Sequence, residues 1–213
     1  MQPPFNVTFE ASDIACERGG RLLFRGLSFG LSPGEGLLVR GPNGAGKTSL
    51  LRQIADLLPL AAGRFSTEGA ETDMPRAELC HYVGHLNAAK SALSVRENLT
   101  FWADFFGGGN VEEAMAAFGL TSLAEISAGF LSAGQKRKLA LSCLFAAPRP
   151  IWLLDEPSVS LDASSVKRLG QAIRNHLKMG GVAIVSSHVP LGTKFAHTLN
   201  LDGEHIPNLE FVA

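Results

Sequence analysis

One stretch, GPNGAGKT from Gly41 to Thr48, constrains the fold of this chain more than any other. It follows a short apolar run at 36–39 and precedes an apolar-periodic segment at 49–58. A strand, a glycine-rich turn and a helix in this order form a phosphate-binding loop, and the residues match G-x-x-x-x-G-K-[ST] completely. The alternative is a flexible glycine loop, but such a loop would not require Lys followed by Thr.

Each residue type in this loop has a chemical reason. Gly41, Gly44 and Gly46 let successive backbone N–H groups turn inward around a polyphosphate. The helix N-terminus adds its positive dipole end. Lys47 is expected to reach the β- and γ-phosphates during catalysis, and the Thr48 hydroxyl to bind Mg²⁺. The predicted nucleotide-binding residues of the loop are Gly41, Pro42, Asn43, Gly44, Ala45, Gly46, Lys47, Thr48 and Ser49.

Length and composition limit the classes of protein this chain can belong to. Its 213 residues are enough for one well-buried α/β domain, 1–213, and 46% hydrophobic with 18% charged residues is ordinary for a globular protein. The net charge of −1 gives no basic footprint, so no nucleic-acid partner is expected. The 3 widely spaced cysteines indicate packed, reduced thiols in a cytosolic protein. No secretion signal and no apolar run of ~18 residues is seen, so a membrane role would require another chain.

Hydrophobic periodicity predicts the remaining elements. Between about 85 and 147 the pattern is helical, which predicts a helical subdomain inserted into the α/β core. The aromatic cluster at 101–106 in this segment is interpreted as core. Strands are predicted at 7–14, 22–31, 63–67, 79–84, 151–154, 182–186, 198–201 and 209–212. The first two, joined by a turn at 18–20, are expected to form a β-subdomain, and the last two are expected at an edge.

Helix boundaries are predicted from capping residues. The phosphate-loop helix is expected to run from 46 to 58 and to end before Pro59. Ser94 with Glu97, and Ser132 with Gln135, form two capping-box patterns. Further helices are predicted at 111–118 and after an Asp162 N-cap.

Two acidic residues follow the predicted strand at 151–154. Asp155 is placed to hold Mg²⁺ through water, and Glu156 to orient or deprotonate the water that attacks the γ-phosphate. His188, after the next strand, is a candidate donor to the γ-phosphate. Strand ends often carry charge and a lone histidine is more often structural, so these assignments depend on the phosphate loop upstream.

LSAGQ at 131–135 resembles the signature motif of ABC ATPases, usually LSGGQ. Ser132, Gly134 and Gln135 at a helix start suit an anion, and in ABC ATPases that anion is the γ-phosphate of a nucleotide held by the opposite subunit. SVSLD at 158–162 is similar to the D-loop, and His188 to the switch histidine. The motifs cover about 5–203. The resemblance implies an ABC-type P-loop domain with a RecA-like core, an antiparallel β-subdomain and an inserted helical subdomain, hydrolysing MgATP as a self-dimer.

Two positions depart from the common ABC pattern. Arg18 stands where most ABC transporters have an aromatic residue against adenine, and its guanidinium can stack instead. His85 stands where they have the Q-loop glutamine, so it is the third predicted metal contact beside Thr48 and Asp155.

Three longer segments, CERGGRLLFRGLSF, YVGHLNAAK and LSAGQKRKLAL, are similar to the ATP-binding subunits of the cytochrome c maturation transporter, the so-called haem exporter. This resemblance implies a peripheral ATPase at the cytoplasmic face of the bacterial inner membrane. Its partners would be integral-membrane permease subunits, and it would supply energy for haem delivery to c-type cytochromes.

Other members of the ABC class remain alternatives. These are the ATPase of another small-substrate exporter, a soluble ABC ATPase in chromosome maintenance or translation, and a non-hydrolysing nucleotide sensor. Only 83 residues separate Thr48 from Leu131, too few for the long coiled coil of repair-type members. Translation-type members carry two ATPase domains in one chain, and this sequence has one set of motifs.

Overall fold

The computed structural model describes residues 5–69 and 74–202, together with the backbone of 209–211. Two long strands, β1 (Thr8–Arg18) and β2 (Arg21–Leu31), pair antiparallel around a turn at 19–20. The next strand in the chain, β3 (Gly36–Arg40), belongs to another sheet. β4 (Ala62–Glu68) pairs with the other side of β1, which gives the order β2-β1-β4. The predicted β-subdomain is confirmed, but Arg18 lies in β1 and not in the turn, because it pairs with Arg21.

A second, six-stranded sheet forms the core. Its order is β5-β6-β7-β3-β8-β9, with all neighbours parallel except the last pair. The strands introduced here are β5 (Cys80–Val83), β6 (Ile151–Asp155), β7 (Val182–Ser186), β8 (His197–Asn200) and β9 (Leu209–Phe211). β6 and β7 are buried throughout, as their uninterrupted apolar sequences predict for central parallel strands. The prediction that β8 lies at the edge was wrong, since β9 pairs outside it; Val212 lies outside the described residues.

The helices pack on and between these sheets. They are α1 (Lys47–Ile54), α2 (Arg76–Leu79), α3 (Val95–Phe105), α4 (Val111–Ala117), α5 (Ala133–Ala146) and α6 (Ala163–Lys178), with 3₁₀ turns at Thr121–Leu123 and Ala128–Phe130. Both capping boxes are confirmed, and Asp162 caps α6 by accepting from the Ser165 N–H at 2.8 Å. α2 was not predicted, and because it includes Leu79, β5 starts at Cys80. None of the helices in the described ranges is long and apolar enough to cross a membrane.

The predicted end of α1 was wrong. The helix stops at Ile54, four residues before the predicted Leu58, and Asp56 adopts a left-handed backbone with φ 62°. The backbone itself closes the helix, because the Leu57 N–H donates to the Arg52 carbonyl at 2.8 Å and the Asp56 N–H to the Gln53 carbonyl at 3.2 Å. Arg76 Nε in addition donates to the Ile54 carbonyl at 2.8 Å. A side chain distant in sequence thereby satisfies a carbonyl of the last turn.

The interpretation of the aromatic cluster as core was also wrong. Phe105 is 67% exposed and Phe101 39%. The buried face of α3 is instead the stripe of Val95, Leu99 and Ala103, which packs with α4 and α5. Since residues four apart lie on one helix face, that stripe turns Phe101 and Phe105 outward.

Candidate functional site

The phosphate loop connects β3 to α1 through glycines that no other residue can replace without strain. Gly41 has φ 143°, and an added Cβ would lie 2.0 Å from the Leu201 carbonyl oxygen. Gly46 is the N-cap of α1 with φ 105°, and a Cβ there would lie 3.0 Å from the Phe24 ring. Because Gly46 has no side chain to accept from the first N–H groups of α1, those donors are available to an anion.

Lys47 starts α1 and is nearly buried. Its Nζ donates to the carbonyl oxygens of Gly41 at 2.7 Å and Pro42 at 3.0 Å, so the ammonium bridges the loop. These bonds satisfy a charge that would otherwise be costly to bury.

A cavity of about 380 Å³ lies against the loop. The predicted nucleotide-binding residues that line it are Arg18, Asn43, Gly44, Gly46, Lys47, Thr48 and Ser49. Arg52, which was not predicted, lines it as well, so three cations border the cavity together with the carboxylates of Asp155 and Glu156. The cations suit a polyphosphate, and the carboxylates suit the Mg²⁺ that accompanies it.

Asp155, at the end of β6, is held by two hydroxyls. Its Oδ2 accepts from Thr48 Oγ1 at 2.8 Å, and its Oδ1 from Ser186 Oγ at 2.7 Å. Ser186 pairs with Asp155 in the sheet and also accepts from the Glu156 N–H at 3.0 Å. Ser186 was not singled out from the sequence, although a serine closing a buried strand is a signal that would have found it.

Glu156 and His188 contact one another at the ends of neighbouring strands. His188 Nε2 lies 3.3 Å from Glu156 Oε1, and the His188 N–H donates to Oε2 at 3.4 Å. Glu156 has a left-handed backbone, φ 45°, which costs about 1–3 kcal/mol for a residue with a Cβ and persists only where its surroundings hold it there. Its N–H is fixed by the Ser186 carbonyl at 3.1 Å.

The third predicted metal contact, His85, does not lie with the other two. Thr48 and Asp155 line the phosphate-loop cavity, whereas His85 is exposed and lines a neighbouring cavity with Glu156 and His188. Within the described ranges no group of three or more His, Cys, Asp or Glu side chains is arranged to hold a metal. A hydroxyl and a carboxylate fit Mg²⁺ that takes its other ligands from phosphates and water.

The signature residues lie apart from the phosphate-loop cavity of their own chain. Ser132 and Gln135 close their capping box at 3.3 and 2.8 Å at the start of α5. Gly134 packs on the segment 158–162, because a Cβ there would lie 2.7 Å from the Ser160 carbonyl oxygen. The structure therefore joins the signature to the D-loop segment and not to Lys47 or Thr48 of the same chain.

A second concave surface, of about 640 Å³, lies where the helical segment meets the main sheet. It is lined by Trp102, Phe105 and Phe106 at the end of α3 and by Leu57 and Leu86, and Leu86 is 82% exposed. We call this surface the aromatic groove. Burial raises the pKa of Cys80 and Cys143, both in its wall, to about 12, so these thiols are neutral packing groups.

The fold and the phosphate-loop site define a class of protein. The sequence profile of the ABC transporter family matches residues 24–159, which is more than half of the chain. This chain belongs to the ABC transporter family. Two solved structures share its fold. The first is an ATP-binding subunit of an ABC transporter, with a TM-score of 0.85 and 20% identity, and the match covers 96% of this chain and 90% of that one. The second is a putative ABC transporter ATP-binding protein from Pyrococcus furiosus, with a TM-score of 0.78 and 24% identity, and the match covers 91% of this chain and 97% of that one.

Within this class, several similar curated proteins carry the name cytochrome c biogenesis ATP-binding export protein CcmA. The protein from Chelativorans sp. is 45% identical over 90% of this chain and 96% of its own. The one from Ruegeria pomeroyi is 49% identical over 87% of each, and the one from Rhodospirillum rubrum 48% over 94% and 88%. The resemblance to the cytochrome c maturation ATPases is thereby confirmed.

Proposed function

We propose that this protein is the ATP-hydrolysing subunit of a transporter that energises haem delivery in c-type cytochrome biogenesis. The observation that carries the proposal is the meeting of the phosphate loop, Asp155, Glu156 and His188 at the carboxyl ends of β3, β6 and β7. Sequence identity of 45–49% to proteins named CcmA supports a role in the cytochrome pathway.

Nucleotide binding is assigned to the loop and the cations around it. The N–H groups of the loop and of α1 surround the phosphates, and the third N–H of the Lys47 ammonium, beyond the two on loop carbonyls, is directed to a phosphate oxygen. Arg18, at the rim of the cavity, stacks on the adenine. Thr48 and Asp155 would hold Mg²⁺, which when bound neutralises charge shared between the β- and γ-phosphates.

Hydrolysis is assigned to Glu156 and His188. Glu156 orients the attacking water and accepts its proton as the water oxygen bonds to the γ-phosphorus and the bridging P–O bond breaks. His188, whose Nε2 lies 3.3 Å from Glu156 Oε1, is assigned as the donor to the γ-phosphate once nucleotide replaces that contact. His85 faces the same cavity, so we assign it to the attacking water in preference to Mg²⁺.

A second copy of the chain completes each site. Ser132, Gly134 and Gln135 form an anion site at the start of α5 that does not line the phosphate-loop cavity of the same chain. In a self-dimer this helix start would bind the γ-phosphate on the partner subunit.

The aromatic groove is assigned to the membrane permease subunit. Phe105, Leu57 and Leu86 are large apolar side chains that are exposed on one concave surface, and such surfaces can be interaction sites. A short amphipathic helix of a permease, placing its apolar face on these side chains, is the occupant we propose. This contact would hold the ATPase at the cytoplasmic face of the inner membrane.

A deletion strain complemented with variants tests the proposal. Lys47→Ala should lower the ATPase rate of the purified protein on the order of 100-fold or more, and should leave periplasmic and membrane c-type cytochromes without haem stain. Lys167→Ala, exposed on α6, is the matched control and should behave as wild type. If Lys47→Ala keeps its activity, the ATPase assignment is wrong; if activity is lost while c-type cytochromes stay normal, only the haem pathway is wrong.

A further inference from the structure

Arg137 is a buried cation that the catalytic scheme above does not use. It lies on α5, two residues beyond the LSAGQ motif, and is 3% exposed. A guanidinium has five N–H donors in a rigid planar fork. All five are used, and every acceptor is a neutral oxygen atom.

Three of these acceptors are consecutive backbone carbonyls at the end of β6. The two N–H groups of one terminal nitrogen donate to the carbonyls of Asp155 and Glu156, both at 2.9 Å, and Nε donates to the carbonyl of Pro157 at 3.1 Å. The left-handed backbone of Glu156 is thus held from one side by Ser186 and from the other by Arg137. Both contacts restrict the direction of the Glu156 side chain.

The other two acceptors belong to the segment 84–87. The second terminal nitrogen donates to the Gly84 carbonyl at 2.6 Å and to Asn87 Oδ1 at 3.3 Å. Gly84, Leu86 and Asn87 line the aromatic groove, whereas His85 lines the cavity of Glu156. The segment is therefore the wall between the proposed partner surface and the hydrolytic site, and Arg137 ties that wall to the Glu156 backbone.

The electrostatic surroundings keep this contact in place. Burial lowers the pKa of the Arg137 guanidinium, and the negative charge of Asp155 opposes that shift, so the group stays protonated at neutral pH. Since each acceptor serves one donor, displacing the wall segment would leave a charged donor unsatisfied in a buried site, which is strongly unfavourable. The wall and the Glu156 backbone are consequently expected to move together.

We infer that Arg137 is a positioning residue for ATP hydrolysis: it fixes the Glu156 backbone and makes its position depend on the segment 84–87 that walls the aromatic groove. This inference rests on the proposed ATPase function. It assigns Arg137 no contact with the nucleotide, since Arg137 does not line the phosphate-loop cavity.

Arg137→Lys separates positioning from binding. Lysine keeps the charge but offers three donors at one point, so it cannot hold five acceptors in a plane. We expect kcat to fall at least about tenfold while KM for MgATP stays within about threefold, because the loop and its cations are unchanged. Arg168→Lys on the exposed face of α6 is the matched control.

Asn87→Ala tests the contact between Arg137 and the segment 84–87 by changing the acceptor. It is the deciding variant for the positioning role if Arg137→Lys fails to fold. It removes one acceptor from Arg137 and leaves the Glu156 contacts, so kcat should fall about threefold with KM unchanged. Asn175→Ala, exposed on α6, is its control and should match wild type.

The outcomes separate this inference from the function on which it rests. Loss of kcat in Arg137→Lys and Asn87→Ala, with KM and both controls unchanged, supports the positioning role. If wild type hydrolyses ATP and Arg137→Lys turns over like Arg168→Lys, or if KM rises in place of a fall in kcat, the inference alone is overturned. A wild-type protein without ATPase activity overturns the proposed function and the inference together.

Discussion

His176 should make the folded protein sensitive to acid. Its ring is buried on α6 and stacks on Trp152 with a centroid distance of 4.1 Å and an interplanar angle of 8°. Nε2 lies 3.1 Å from the Val182 carbonyl oxygen and 3.2 Å from that of Pro150, so Nε2 carries the proton of the neutral ring. Burial, the largest cause, lowers the pKa of His176 to about 4, the two carbonyls oppose the shift, and the nearby His81 lowers the pKa further.

The sign of the effect follows from where protons bind. Because the folded pKa lies below the unfolded value of ~6.5, the unfolded chain binds more protons between about pH 6.5 and 4, and stability falls as pH falls through that window. From pH 8 to pH 5 the loss is about 2 kcal/mol for one such imidazole. Burial also lowers the pKa of His81 to about 4, with Arg149 nearby adding to the shift, so the two rings together account for about 4 kcal/mol.

The variant His176→Gln isolates one of these rings. Its amide can still donate to the Val182 and Pro150 carbonyls, but it does not titrate and cannot stack on Trp152. Loss of the stacked pair should lower the free energy of unfolding at pH 8 by about 1 kcal/mol. At pH 5 the variant should be about 1 kcal/mol more stable than wild type. The free energies of unfolding of the two proteins should be equal near pH ~6.

Urea unfolding followed by far-UV circular dichroism at pH 8, 7, 6 and 5 measures these free energies. His85→Gln is the matched control, because it makes the same change of residue type at an exposed position. A constant difference between wild type and His176→Gln at all four pH values would refute the reasoning. It would mean that the ring is not held neutral in the folded state.

Two further predictions concern the partners. Glu156→Gln, which cannot accept the proton of the attacking water, should sediment as a dimer in saturating MgATP and as a monomer without nucleotide. Adding Ser132→Arg to Glu156→Gln should abolish the dimer by blocking the anion site. If Glu156→Gln binds ATP and is still a monomer, the proposed self-dimer is contradicted. Phe105→Asp places a charge on the aromatic groove and should lower the fraction of the protein that sediments with native membranes about tenfold. Met179→Asp, at an exposed apolar position outside the groove, is the control and should not lower it. Equal membrane recovery of the two variants would exclude the groove as the docking surface.

The features predictable from the sequence were those made by residues close together in the chain. The phosphate loop needs glycine at 41 and 46 and lysine at 47, all within one turn and one helix start, and the structure gives both glycines positive φ. The capping boxes at Ser94 and Ser132 are likewise closed between residues three apart. Family membership followed for the same reason, since each motif is a short contiguous stretch and their order along the chain is itself specific.

Tertiary structure decided the features that depend on which distant elements meet. Phe105 has the residue type of a core side chain but is exposed, because α4 and α5 pack on the opposite face of α3. The hydrophobic pattern of α3 alone does not show which of its faces is covered. The Ile54 carbonyl at the end of α1 is satisfied by Arg76, which comes from another helix. In the sequence, Arg137 is one of three consecutive basic residues, and nothing marks it out from its neighbours. Its role depends on contacts with Asp155 in β6, 18 residues away, and with Gly84 in the segment 84–87, 53 residues away. Hydrogen bonds of this kind are specified by the register of the parallel sheet and the placement of α5, which the chain acquires only when the whole core is packed.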